Sequence, residues 1–159
     1  MRRKIDKFGR AKAYRRLLES IRESQPEDKK SMEDVLKERK GLKHEFRLLP
    51  EEHFKGLKGI QYHRTPNSLI NSLEKSFGEK ATKSERNRLA HIPGIYDPEH
   101  KRIHLQKYPR PGIFSHELRH HAQNIGLVEG LNIKNSRQRE RDALKFGNSI
   151  KKSLKRKEK

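Results

Sequence analysis

The sequence predicts an α+β fold: a small, mostly antiparallel sheet packed on two successive helices, with further helices added at the N-terminus. Three observations predict it. Tyr14, Leu17, Leu18 and Ile21 recur at helical spacing, as do Ala143, Leu144, Phe146, Ile150 and Leu154. Ile60 and Tyr62 alternate with polar residues, and so do Ile103 and Leu105, which is the period of a strand. Asp97-Pro98-Glu99-His100 is turn chemistry between two such arms.

Composition sets the bounds. The chain has 159 residues, a formal net charge of +19, and only 30% hydrophobic residues, so one modest core is expected. Split by segment, the charge is +7 over 1–47, +4 over 48–130 and +8 over 131–159. The ends are basic around a nearly balanced middle. Basic termini of this kind attract nucleic acid or another polyanion, and they also keep a protein soluble. The absence of cysteine excludes disulfides, a zinc ribbon, an iron–sulfur cluster and a thiol nucleophile. No apolar run approaches the roughly 18 residues of a membrane span, and no apolar stretch follows the basic start as a signal peptide requires. No membrane association is therefore expected, and the location is cytoplasmic, or virion-associated for a viral protein.

The elements follow in order. A helix is expected from about 10 to 23, broken at Ser24-Gln25-Pro26. Ser31, three residues before Asp34, starts a second short helix with Met32, Val35 and Leu36 on its face, ending at Gly41. Pro50 opens a helical turn, and 57–63 reads as a strand. Thr65 caps a helix with Pro66 in its first position, a buried stripe of Leu69, Ile70, Leu73 and Phe77, and Gly78 as its stop. Residues 79–88 form a loop or a short exposed helix. A hairpin covers 92–106. One helix then runs from about 113 to 125, stopping at Gly126, and a last one starts at Asn135-Ser136. The stretch 151–159 is almost all charge and is expected to fray. This gives a basic helical extension (1–41), a central domain (42–150) and a basic tail (151–159).

One motif carries chemistry: His116-Glu117-Leu118-Arg119-His120. On a helix, residues four apart stack on one face, so two imidazoles can share one metal ion. The intervening Glu117 projects to the side, where it reaches water rather than metal. Chance produces such a motif about 5% of the time in a chain of this composition, so context must decide. Phe114, Leu118, Ala122 and Ile125 give the helix apolar support. Glu140, on the next helix, shares a face with Ala143, Leu144 and Gly147 and is expected to point inward as a third ligand, where a cation would offset its burial; the alternative is a surface Glu140 paired with Arg137 or Lys145. The hairpin just before the motif offers an edge on which an extended peptide can add as a strand. Of the other six histidines His44, His53, His63, His91, His100 and His104, only His100 and His104 have ligand spacing, too long an offset on a strand to share a tetrahedral site, and all read as mostly solvent-exposed or structural.

The order of strand, Asp-Pro turn, strand, Ile113-Phe114-Ser115-His116-Glu117-Leu118-Arg119-His120, and then Glu140-x-x-Ala143-x-x-Phe146 resembles the minimal zincin metallopeptidase domain. It is most similar to the glutamate-liganded, ImmA/IrrE-like group. The likeness covers roughly 44–150. It implies a zincin-like fold, Zn²⁺ held by His116, His120 and Glu140, and Glu117 as the general base toward a zinc-bound water that attacks a peptide bond. The implied partner is a protein or peptide substrate. A further donor to the transition state is usual in the class, and Tyr96, His104 and Tyr108 are the candidates. Three positions depart from the pattern: Arg119 and His121 stand where relatives have small residues, and Leu144 where an acidic one is common; His121 is expected at the surface, partly exposed, with support of a metal ligand as the alternative. The alternative is a basic nucleic-acid-associated or virion structural protein that keeps such a fold without efficient catalysis.

Overall fold

The computed structural model describes residues 9–24, 32–63, 65–106 and 112–157; side chains of 22–24, 32–39 and 157 are outside the description. Among the described residues six helices and three strands follow in the order α1 (Arg10–Ser24), α2 (Met32–Leu48), a 3₁₀ turn (Glu51–Phe54), β1 (Gly59–His63), α3 (Pro66–Phe77), α4 (Lys83–His91), β2 (Gly94–Asp97), β3 (Arg102–Gln106), α5 (Ile113–Asn124) and α6 (Ser136–Lys157). The class is α+β. The sheet is mixed rather than mostly antiparallel: its order is β1-β3-β2, with β1 parallel to β3 and β2 antiparallel to it. Parallel neighbours need a long crossover, and α3 and α4 supply it.

Both sheet faces are covered. Ile60, Tyr62, Ile103 and Leu105 meet Ala13, Leu17, Phe46, Phe54, Phe114 and Leu118 in the main core. Leu69, Ile70, Leu73 and Leu89 form a second cluster, against which Ile95 of β2 packs. Thr65 caps α3 as expected, its side chain accepting from Ser68 N, and Gly78 ends it with φ +70°. Residues 83–91 are helical because Thr82 and Glu85 form a reciprocal capping box. Thr82-x-x-Glu85 thus decides for the helix over the loop.

Two helix ends differ from expectation. Gly41 does not stop α2. A glycine inside a helix costs about 1 kcal/mol, but Leu42 and Phe46 beyond it are buried and outweigh it. The 41/42 division thus falls inside α2, while α1 contributes Ala13 and Leu17 to the main core. At the other end the basic stretch does not fray before Lys157. Ile150 is buried and Leu154 packs on the core, and cations in a last turn favour the helix dipole.

Under α3 the sheet holds a buried polar strip. His63 Nε2 and His104 Nδ1 share a hydrogen bond of 2.9 Å, and His63 Nδ1 lies 3.0 Å from Ser68 Oγ. Burial pushes both imidazoles down to about 4, and for His104 the neighbouring His63 adds to the effect. In the fold they are neutral, whereas the unfolded chain protonates them near the ordinary value of about 6.5. Stability from this pair is therefore flat above about pH 6.5 and is lost as pH falls from there toward 4. The loss approaches about 1.4 kcal/mol per pH unit for each site. Urea unfolding at pH 7.5, 6 and 5 is expected to show this decline, with a shallower slope in His104→Gln. Equal slopes in the two chains would contradict the buried neutral pair.

Candidate metal centre

The histidine pair sits near the start of α5, and three features hold that start in place. Gly112 N-caps the helix with φ +89° and offers no side chain to its free amides. Glu45 of α2 does so instead. Its buried carboxylate accepts from Gly112 N (3.0 Å), Ser115 N (3.1 Å) and Ser115 Oγ (2.7 Å). Burial pushes this carboxyl up from its ordinary value, and the three donors pull against that. The third feature is a close crossing of α5 and α6. A Cβ on Gly112 would lie 2.9 Å from Gly147 O, and one on Gly147 would lie 2.9 Å from Gly112 O and 3.4 Å from His116 Cβ. These two glycines bring His116 against the helix that carries Glu140.

The expected ligands converge. His116 Nε2 and His120 Nε2 are 3.2 Å apart. Glu140 places Oε2 3.3 Å from His116 Nε2 and Oε1 3.0 Å from His120 Nε2. Nitrogen and oxygen donors around a tetrahedral zinc stand about 3.3 Å from one another. The donor set, its spacing and its chemistry therefore fit such an ion. Among the described residues this is the one cluster of three or more His, Cys, Asp or Glu able to hold a metal. Glu140 reaches the rings from the surface, its side chain 65% exposed, rather than from the buried stripe. Leu144, expected on that stripe, is 56% exposed.

Neighbouring groups fix the rings. Gln123 Nε2 donates to Arg139 O and Asp142 Oδ2, both at 2.9 Å, so its Oε1 accepts from His120 Nδ1 at 3.0 Å. That leaves the His120 Nε2 lone pair facing the centre, the usual arrangement for a metal ligand. Asp142 is gripped by Arg119 through Nε (2.7 Å) and Nη2 (3.2 Å). Arg119 also reaches His53 Nε2 at 3.0 Å and lies over Phe146. The unexpected arginine is thus a brace between α5 and α6. For His116, burial and then His120 lower the pKa, which favours a neutral ring.

Glu117 is buried, and among the described residues it is not part of the ligand cluster. Its Cγ lies against Gly94, where a Cβ would come within 3.3 Å, and the Tyr96 backbone N–H donates to its carboxylate. Burial first, and the Glu140 charge second, push it up to about 8. Gln106 N bonds Pro93 O, and antiparallel alternation then turns the backbone of Gly94 and Tyr96 away from β3, toward the free edge beside Glu117.

The candidate donors fare differently. Tyr96 lines the cleft, but its hydroxyl donates to His121 Nδ1 (2.7 Å) and accepts from Asn124 Nδ2 (3.1 Å). Burial raises its pKa to about 12. His104 is inside the sheet against His63, away from the cleft. Tyr108 lies outside the described residues. His121, expected at the surface, is fully buried because its Nε2–H donates to Lys55 O at 2.7 Å, tying the segment after the 3₁₀ turn to α5.

The centre opens into a cleft of about 860 Å³ between β2, α5 and α6. No family model, no curated protein and no solved structure matches the chain. Among the described residues no helix is long and apolar enough to cross a membrane.

Proposed function

We propose that the protein is a zincin-like, zinc-dependent metallopeptidase. The observation that carries this reading is the convergence of His116, His120 and Glu140 within hydrogen-bond distance, with a separate buried carboxylate, Glu117, beside them on the same cleft. A zinc ion bound there supplies a Lewis acid, which polarises a carbonyl and makes water a competent nucleophile near neutral pH. The two imidazoles and one carboxylate bind it and balance all but one unit of a dication's charge. Glu117 takes a proton from the attacking water and returns it to the leaving amine. Gly94 exposes its backbone at the free edge of β2, where an extended substrate can add as a strand. The residues that fix α5 and Gln123 pre-orient the donor set, so little reorganisation is needed when the metal binds.

Chelation tests the reading. Hydrolysis of an unfolded polypeptide is expected to disappear with a zinc chelator and to return on adding about one equivalent of Zn²⁺. Hydrolysis that persists through exhaustive chelation would overturn it.

A further inference from the structure

The cleft has a polarity of its own. On one side runs α6, whose lining residues extend from Ser136 to Lys151, roughly 22 Å at a helix's rise. On the other lies the edge strand β2. A trough of that length accommodates about six or seven residues of extended chain. Its walls carry apolar patches: Ile92, Ile95 and Ile113 contribute, and so do Ile133 and Leu144, 42% and 56% exposed. An exposed leucine beside three charged or imidazole ligands has no partner within the core, and it faces the trough. The carboxylates lining the cleft are Glu117 and Glu140, both already assigned. Its cations are Arg88, Arg139 and Lys151, and among the described residues none of the three enters an ion pair. Arg139 and Lys151 stand about 18 Å apart along α6, some five residues of extended chain.

We propose that this trough selects an extended polypeptide with an apolar side chain near the reacting bond and acidic residues flanking it. The apolar residue packs on Leu144 and its neighbours. The flanking carboxylates meet Lys151 at one end and Arg139, with Arg88 across the cleft, at the other. This inference rests on the peptidase reading for the orientation of the chain, and it assigns the substrate class. A nucleic acid fits less well, because aliphatic side chains share the wall between the cations with the Glu140 carboxylate, which repels phosphate, and among the described residues Tyr96 is the only Phe, Tyr or Trp that lines the trough. The Tyr96 hydroxyl is committed to His121.

The test uses the full chain carrying Glu117→Gln, so that peptides are not consumed, at about 0.15 M salt to screen the general charge of the protein. The probes are three twelve-residue fluorescent peptides with one leucine-containing centre, flanked by Glu, by Gln or by Lys, and a single-stranded oligonucleotide. Anisotropy is expected to show the Glu-flanked peptide binding about tenfold tighter than the Gln-flanked one, and the Lys-flanked one weakest. Arg139→Glu with Lys151→Glu is expected to erase or invert that order, and the milder Arg139→Gln with Lys151→Gln to flatten it. Lys75→Glu with Lys80→Glu, an equal charge change at the end of α3 and in the turn after it, is expected to leave it intact. Equal binding of the three peptides would overturn the proposal. So would an order that survives reversal in the trough, or one lost equally in the α3 control, or tighter oligonucleotide binding that depends on Arg139 and Lys151. Acid-selective binding with no hydrolysis by the zinc-loaded native chain would contradict the peptidase reading alone. Hydrolysis of all three peptides at equal rates would contradict the selectivity alone.

Discussion

Glu117→Gln is expected to slow peptide hydrolysis by about 10²- to 10⁴-fold, the usual worth of a positioned acid–base group, while zinc affinity stays within a few-fold of the native chain. The substitution keeps shape and removes only the ability to hold a proton. Glu117 is outside the ligand cluster, and its carboxylate accepts from the Tyr96 N–H, a bond that an amide oxygen can keep. Burial and the charge of Glu140 work against the ionised form, so the native side chain is held at some expense of stability. A neutral isostere relieves that, and the variant is expected to unfold at the same temperature as the native chain or higher, a trade of stability for activity common at functional sites. Kinetics, metal titration and thermal unfolding on one preparation decide it. Native-like hydrolysis would remove Glu117 from the chemistry. Loss of metal together with hydrolysis would make it structural.

The second large effect is expected far along the chain. Glu45→Ala deprives the start of α5 of three hydrogen bonds and leaves the amides of Gly112 and Ser115 buried without acceptors. Hydrogen bonds to charged groups are worth about 1.5–3 kcal/mol each, and unsatisfied buried donors add to the loss. A total near 3 kcal/mol is reasonable, well above the usual price of a lost cap. Glu45→Gln is no remedy, because its amide nitrogen would face one of the two backbone donors. Both variants are expected to weaken zinc binding by more than tenfold, since His116 lies one residue beyond Ser115. Chemical unfolding and zinc titration measure the two effects. Native stability in Glu45→Ala would show that α5 is held by its packing alone.

Much of the fold was written locally. Thr65, Pro66 and Gly78 mark both ends of α3, and the Asp97 turn closes the β2–β3 hairpin through bonds to Glu99 N and His100 N. The convergence of the candidate trio was legible too: His116 and His120 follow from helical spacing, and Glu140 from its place on the next helix. What the sequence hid depends on partners distant along the chain. The parallel pairing of Ile60 with Ile103 leaves no local signal, because strand alternation is the same for either direction. Glu45 reads as one more polar residue on a charged helix, and nothing near it announces the helix start it satisfies. His121 looked like a surface residue because its two acceptor and donor partners, Lys55 O and the Tyr96 hydroxyl, belong to other elements. Gly41 and the basic end of α6 misled for a related reason, since propensity and charge yielded to the apolar stripes of Leu42 and Phe46 and of Ile150 and Leu154.

The centre itself is the claim on which the rest depends. Zinc titration of the metal-free native chain, beside Glu140→Ala and His116→Ala, addresses it directly. The expected result is one tightly bound ion per native chain, an affinity reduced at least a hundredfold in Glu140→Ala, and no specific binding in His116→Ala. A native chain that binds no zinc, or binds it equally well without Glu140, would contradict the account.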